Sequence, residues 1–141
     1  MNTRRGSGER NLSDIRRVLI VDDNRDSAEL LSMLLEREGH ETRMAYDGPE
    51  AISVAALFRP HIALLDIGLP GMDGYELMSF LRLRPELVDC KFVAVTGHEQ
   101  LPPGTGGATF DAHLLKPIDL EAVVRLVTEI AGPGRTTQFS A

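Results

Sequence analysis

The stretch HIALLDIGLPGMDGYEL, residues 61–77, decides how the rest of the chain is read. HIALLD (61–66) is a short apolar run that closes on a single carboxylate, Asp66, as a strand buried on both faces does. GLPGMDG follows with the glycine and proline content of a turn. A helical pattern then sets Leu77, Met78 and Leu81 on one face and ends near Pro85.

The same strand–turn–helix unit repeats on either side. Upstream, RVLIVD (17–22) is a β-branched run, and the next segment puts Ala28, Leu31, Leu34 and Leu35 on one helical face with Gly39 at the C-cap. HETRMA (40–45) is a second strand. Asp47 caps a second helix carrying Ala51, Ile52, Ala55 and Ala56, which stops before Pro60. Downstream, KFVAVT (91–96) and AHLLK (112–116) are the fourth and fifth strands. Asp119 caps a last helix with Leu120, Val123, Val124 and Val127 at helical spacing, closed by Gly132. Alternating β and α elements with short connections predict a doubly wound α/β domain built on a five-stranded parallel sheet. One helix is missing from the alternation. GHEQLPPGTGGATFD, between strands four and five, predicts a loop or a shortened fourth helix, because its prolines and glycines interrupt any helical run.

The 141 residues suffice for one domain, expected over 16–131, with a basic N-terminal arm (1–15) and a short tail (132–141). No apolar run is long enough to cross a membrane, and MNTRRGSGERNLSD lacks the apolar core of a signal peptide. A single cysteine, Cys90, excludes an internal disulfide and fits a reducing cytoplasm. The net charge of −6 is uneven: within residues 1–17, Arg4, Arg5, Arg10, Arg16 and Arg17 outweigh Glu9 and Asp14, so the rest of the chain is more acidic than the total. An acidic body argues against nucleic-acid binding by the fold itself. The histidines lack metal-site spacing.

In an open parallel sheet, ligands bind beyond the carboxyl ends of the strands. Asp22 and Asp23 close strand one and Asp66 closes strand three, so adjacent strands bring three carboxylates together. Such a cluster is self-repelling without a cation, and hard oxygen donors with room for water suit Mg²⁺, with Mn²⁺ as a substitute. Thr96 ends strand four and Lys116 ends strand five, adding the hydroxyl and ammonium that surround the oxygens of a phosphoryl group. Thirteen of the fifteen basic residues are arginine, and only Lys91 and Lys116 are lysine, which singles out Lys116 as a compact point charge.

RVLIVDDN, HIALLDIGLPGMDGYEL, VAVTGH and HLLKP, in this order and spacing, resemble the receiver domains of two-component response regulators over residues 17–131. The resemblance implies strand order 2-1-3-4-5. It implies that Asp66 accepts a phosphoryl group from a histidine kinase or phosphotransfer protein. Asp23, Asp66 and the backbone carbonyl of Gly68 are implied as direct Mg²⁺ ligands, with Asp22 holding the ion through water. Lys116 and Thr96 are implied to contact the phosphoryl oxygens, Gly97 and His98 to modulate the site, and Lys116–Pro117 to be cis. Such a protein is a signalling phosphoacceptor rather than an enzyme acting on other substrates. Without a DNA-binding segment in this sequence, it is expected to pass its output to a downstream effector protein.

Three features depart from the family pattern. His113 stands where many relatives carry a tyrosine or phenylalanine that swings inward, and it reads equally as an ordinary strand histidine. Gly68 and His98 occupy the positions that govern attack by water; His98 either steers that water or obstructs it. The interrupted fourth helix puts the usual dimer face in doubt, and suggests that phosphorylation orders residues 97–109. Two other classes compete. One is an interaction module that keeps the fold but not the phosphorylation. The other is an aspartate-nucleophile phosphatase, disfavoured because its second carboxylate would fall at Gly68. A flavin or nucleotide site is disfavoured by the acidic DDNRDS loop.

Overall fold

The computed structural model describes residues 15–97 and 110–130. The expected arm (Ile15 apart), residues 98–109 of the loop expected between strands four and five (His98 among them), and the C-terminal tail lie outside the described residues.

Strands β1 (Arg17–Val21), β2 (Glu41–Ala45), β3 (Ile62–Asp66), β4 (Lys91–Thr96) and β5 (Ala112–Leu115) form one parallel sheet in the order β2-β1-β3-β4-β5. Helices α1 (Arg25–Arg37), α2 (Gly48–Phe58), α3 (Gly74–Arg82) and α4 (Leu120–Ile130) cover it, and a 3₁₀ turn (Pro85–Leu87) follows α3. Side chains alternate across each strand, so both sheet faces are apolar. Leu19, Val21, Ala63, Leu65, Phe92 and Ala94 pack under α2 and α3. Val18, Ile20, Ile62, Leu64, Val93 and Val95 pack under α1 and α4. This two-sided burial is why β3 reads as an unbroken apolar run.

Short polar side chains start the helices. Asn24 accepts from the Ser27 N–H (3.1 Å) and Asp47 from the Glu50 N–H (2.8 Å). Asp73 and Glu76 form a reciprocal capping box at α3. Gly39 follows α1 at φ 97°, the left-handed conformation that ends helices cheaply only at glycine.

Strand and helix boundaries differ from the sequence reading in ways that have causes. His40 and His61 precede β2 and β3 instead of opening them. His40 Nδ1 accepts the Arg16 backbone N–H (3.0 Å) and His61 Nδ1 accepts that of Arg17 (2.8 Å), so the two imidazoles serve the donors just before and at the start of β1. In α1 the buried face includes Ser32 in place of Leu34, because the Ser32 hydroxyl bonds Thr42 Oγ1 (2.6 Å), which donates to Glu36 (2.8 Å). In α4 the buried set is Val123, Leu126, Val127 and Ile130. Leu120 is exposed and Val124 only partly buried; both line a groove against Leu34 of α1.

Candidate functional site

The carboxyl ends of β1 and β3 lie side by side, with Val21 in register with Leu65. Asp66 is the last residue of β3; Asp22 and Asp23 follow β1 directly. Parallel pairing therefore brings the three carboxylates to one place, and ligand oxygens from all three lie within 4.8 Å of one another. Asp22 and Asp66 are buried and Asp23 is exposed.

Each buried carboxylate is held from the backbone. Asp22 Oδ1 accepts the Asn24 N–H at 2.9 Å, and Asp66 Oδ1 accepts the Gly68 N–H at 3.0 Å. Lys116, one residue beyond β5, reaches over the cluster. Its Nζ donates to Asp66 Oδ2 at 3.4 Å and lies 3.8 Å from Asp22 Oδ2. Burial pushes the Asp22 carboxyl above its ordinary value; the Asn24 N–H and the Lys116 charge oppose this, and the Asp66 charge adds to it. A second cation beside Asp22 would oppose that rise. Three hard oxygen donors, one open to solvent, fit a small hydrated divalent ion.

Thr96 closes β4 as a buried residue, and β5 pairs beside it through Thr96–Leu115. The Lys116 N–H donates to the Thr96 carbonyl at 2.8 Å, so these two residues are fixed to each other. Gly97 comes next and is exposed. Gly68 is exposed as well; the space beside it ends at Asp66 Oδ1, 3.8 Å from where a Cβ would stand. The Lys116–Pro117 peptide bond is cis. His113 lies opposite Ala94 on β5, its ring edge-on to Phe110 with centroids 6.0 Å apart.

Some neighbours of the site escaped the sequence reading. Gly74 begins α3 so close to β3 that a Cβ there would stand 2.8 Å from the Asp66 carbonyl oxygen and 2.9 Å from Ile67 Cα. Its place in GLPGMDG marked a turn but not this approach. Tyr75, next along, packs its ring edge-on against Phe110 with centroids 5.4 Å apart. Arg25 lies over the Tyr46 ring at 3.9 Å, joining the start of α1 to the end of β2. No periodicity reports aromatic contacts between separate elements.

With the geometry in hand, comparison with known proteins is direct. Residues 18–128 match the family model of the response regulator receiver domain. Protein PilH of Pseudomonas aeruginosa is 28% identical, over 81% of this chain and 96% of its own length. The DNA-binding response regulator MtrA of Mycolicibacterium paratuberculosis is 32% identical over 79% of this chain, but the match spans only 49% of MtrA. Among solved structures, a putative response regulator from Chloroflexus aurantiacus superposes with a TM-score of 0.75 at 30% identity, covering 83% of this chain and 98% of the other.

Proposed function

The chain belongs to the response regulator receiver family of two-component signalling, and from that membership we propose that it is a phosphoacceptor switch whose acceptor is Asp66. The observation that carries the reading is the setting of that one carboxylate. It ends β3 inside a three-carboxylate cluster, with one oxygen bonded by the Gly68 N–H and the other by Lys116 Nζ. Fixed donors on both oxygens orient the nucleophile and lie ready for the charge of an incoming phosphoryl group.

Asp22, Asp23 and Asp66, with the Gly68 carbonyl, are the groups that would hold Mg²⁺, and Mn²⁺ suits the same oxygens. When bound, the ion supplies charge neutralisation at the phosphoryl oxygens. The remaining work falls to the chain. An Asp66 oxygen attacks the phosphorus of a phosphohistidine, the N–P bond breaks, and an acyl phosphate forms while the imidazole of the donor departs. Lys116 neutralises charge on the transferred oxygens, and the Thr96 hydroxyl closes onto one of them. Because Lys116 and Thr96 are bonded to each other through the backbone, movement of either is felt by both β4 and β5.

The protein transforms no external substrate on this reading; it promotes only its own phosphorylation and slow dephosphorylation. Its partners are a histidine kinase or phosphotransfer protein and a downstream effector, met in the cytoplasm. Among the described residues no helix is long and apolar enough to cross a membrane.

Intact-mass spectrometry after incubation with acetyl phosphate tests the proposal. The expected result is a gain of one phosphoryl group that requires Mg²⁺ and disappears in Asp66→Ala. An unchanged mass in the wild type, together with failure to bind beryllofluoride, would instead establish a phosphorylation-independent interaction module.

A further inference from the structure

Tyr75 and His113 share an anomaly. Tyr75 Oη and His113 Nε2 are each sealed from solvent with no hydrogen-bond partner among the described residues. Buried polar atoms are nearly always bonded, and one left over destabilises the state that contains it. The two atoms stand on separate elements, and the rings that carry them both rest edge-on against Phe110. Among the protein's neutral side chains, a phenol and an imidazole complement each other as donor and acceptor.

Both residues are also coupled mechanically to Asp66. Tyr75 follows Gly74, whose N–H donates to the Ile67 carbonyl at 3.0 Å and whose backbone lies so close to β3 that a Cβ there would stand 2.8 Å from the Asp66 carbonyl oxygen. His113 rides on β5, three residues before Lys116, which donates to Asp66 Oδ2. It is in register with Ala94, two residues before Thr96. A change in charge and size at Asp66 therefore reaches Tyr75 through α3 and His113 through β4 and β5.

We propose that Tyr75 Oη and His113 Nε2 are hydrogen-bond partners held in reserve, bonding to each other in the phosphorylated state once the Phe110 ring gives way. The pairing rests on Asp66 being the phosphoacceptor. The bond forms with the phenol donating to Nε2, or with an Nε2–H donating to the phenol oxygen, according to the imidazole tautomer. In the unphosphorylated state both atoms remain unsatisfied; in the phosphorylated state one bond satisfies both. The pair thus favours the phosphorylated state without touching the phosphoryl group, which makes Tyr75 and His113 positioning residues.

The test uses the full chain, Mg²⁺ and beryllofluoride as the phosphoryl mimic, with affinity measured by calorimetry. Tyr75→Phe is expected to leave the melting temperature of the mimic-free protein unchanged or raised, since its hydroxyl has no partner there. The same variant should bind beryllofluoride about three- to tenfold more weakly, the span of one neutral hydrogen bond. His113→Leu should weaken binding similarly, and the double variant no more than either single one. Long-range ¹H–¹⁵N spectra supply a readout that packing alone would not move: His113 Nε2 should shift on mimic binding in the wild type and not in Tyr75→Phe. Unchanged affinity in Tyr75→Phe, or full additivity in the double variant, overturns the pairing while leaving Asp66 as acceptor. A wild type that binds no beryllofluoride overturns both.

Discussion

Gly74 and Asp66 are in such close contact that a single added methyl group at position 74 would stand 2.8 Å from the Asp66 carbonyl oxygen. The obstacle is backbone on both sides, Asp66 O and Ile67 Cα, so no side chain can turn aside to make room. Gly74→Ala should therefore destabilise the fold by about 1–3 kcal/mol, as overpacking does. Because the strain falls on the residue bearing the proposed acceptor carboxylate, phosphoryl uptake should slow as well. Thermal melting and the rate of mass gain from acetyl phosphate check the two effects, and a wild-type melt would refute the first.

Among the described residues Lys116 is the cation bonded to the carboxylate cluster, with Nζ 3.4 Å from Asp66 and 3.8 Å from Asp22. In Lys116→Ala the charge on the transferring group loses a fixed counter-charge. Uptake from acetyl phosphate should fall about a hundredfold or more, in the range for removal of one electrostatic stabiliser. Lys116→Arg should not restore it, since a planar fork does not reproduce a compact ammonium. Single-turnover rates at saturating Mg²⁺ decide this.

His61 predicts a pH dependence. Burial lowers its affinity for a proton below the ordinary value of 6.5, and the Arg17 and Arg16 charges lower it further, against a smaller opposite effect of Glu41. Its Nδ1 accepts the Arg17 N–H, which requires the neutral ring. A base whose folded pKa lies below its unfolded value stabilises the fold above pH 6.5. That stability is lost as pH falls below 6.5 and levels off below the folded pKa. The fall in urea-unfolding free energy between pH 7.5 and 5 should thus be shallower in His61→Asn. Parallel curves for the two proteins would count against it.

Thr42 ties α1 to β2 through its bonds to Ser32 and Glu36. Thr42→Val strands a buried Ser32 hydroxyl and should cost about 1–3 kcal/mol. Adding Ser32→Ala removes the stranded group and should recover part of that loss. Denaturant titrations of the single and double variants measure the recovery directly.

Most of the architecture was legible because two-faced burial writes itself into the chain as apolar strands closed by carboxylates. Asp22, Asp23, Asp66, Thr96 and Lys116 were legible for the same reason: each stands at a strand end or within two residues past it, where the topology gathers side chains. What escaped depended on contacts that no spacing encodes. Gly74 looked like one more turn glycine, yet its role is set by the backbone of β3 opposite. Leu34, Leu120 and Val124 fit a helical stripe, but the sheet beneath takes Leu35, Val123 and Val127, and the periodicity does not say which edge of a stripe faces inward. His40 and His61 read as first strand residues, and only the geometry reveals them as acceptors for the neighbouring strand.

The three carboxylates and one ammonium leave the site with two surplus negative charges when all four are ionised. A doubly charged cation brings that balance to neutral, and a phosphoryl group added afterwards makes it negative again. On the phosphoacceptor reading proposed above, a phosphodonor, itself an anion, is therefore repelled from the bare site and admitted to the filled one. In the language of circuits, the site multiplies its two inputs instead of adding them. On that reading, a cell short of magnesium silences the switch however active its kinase.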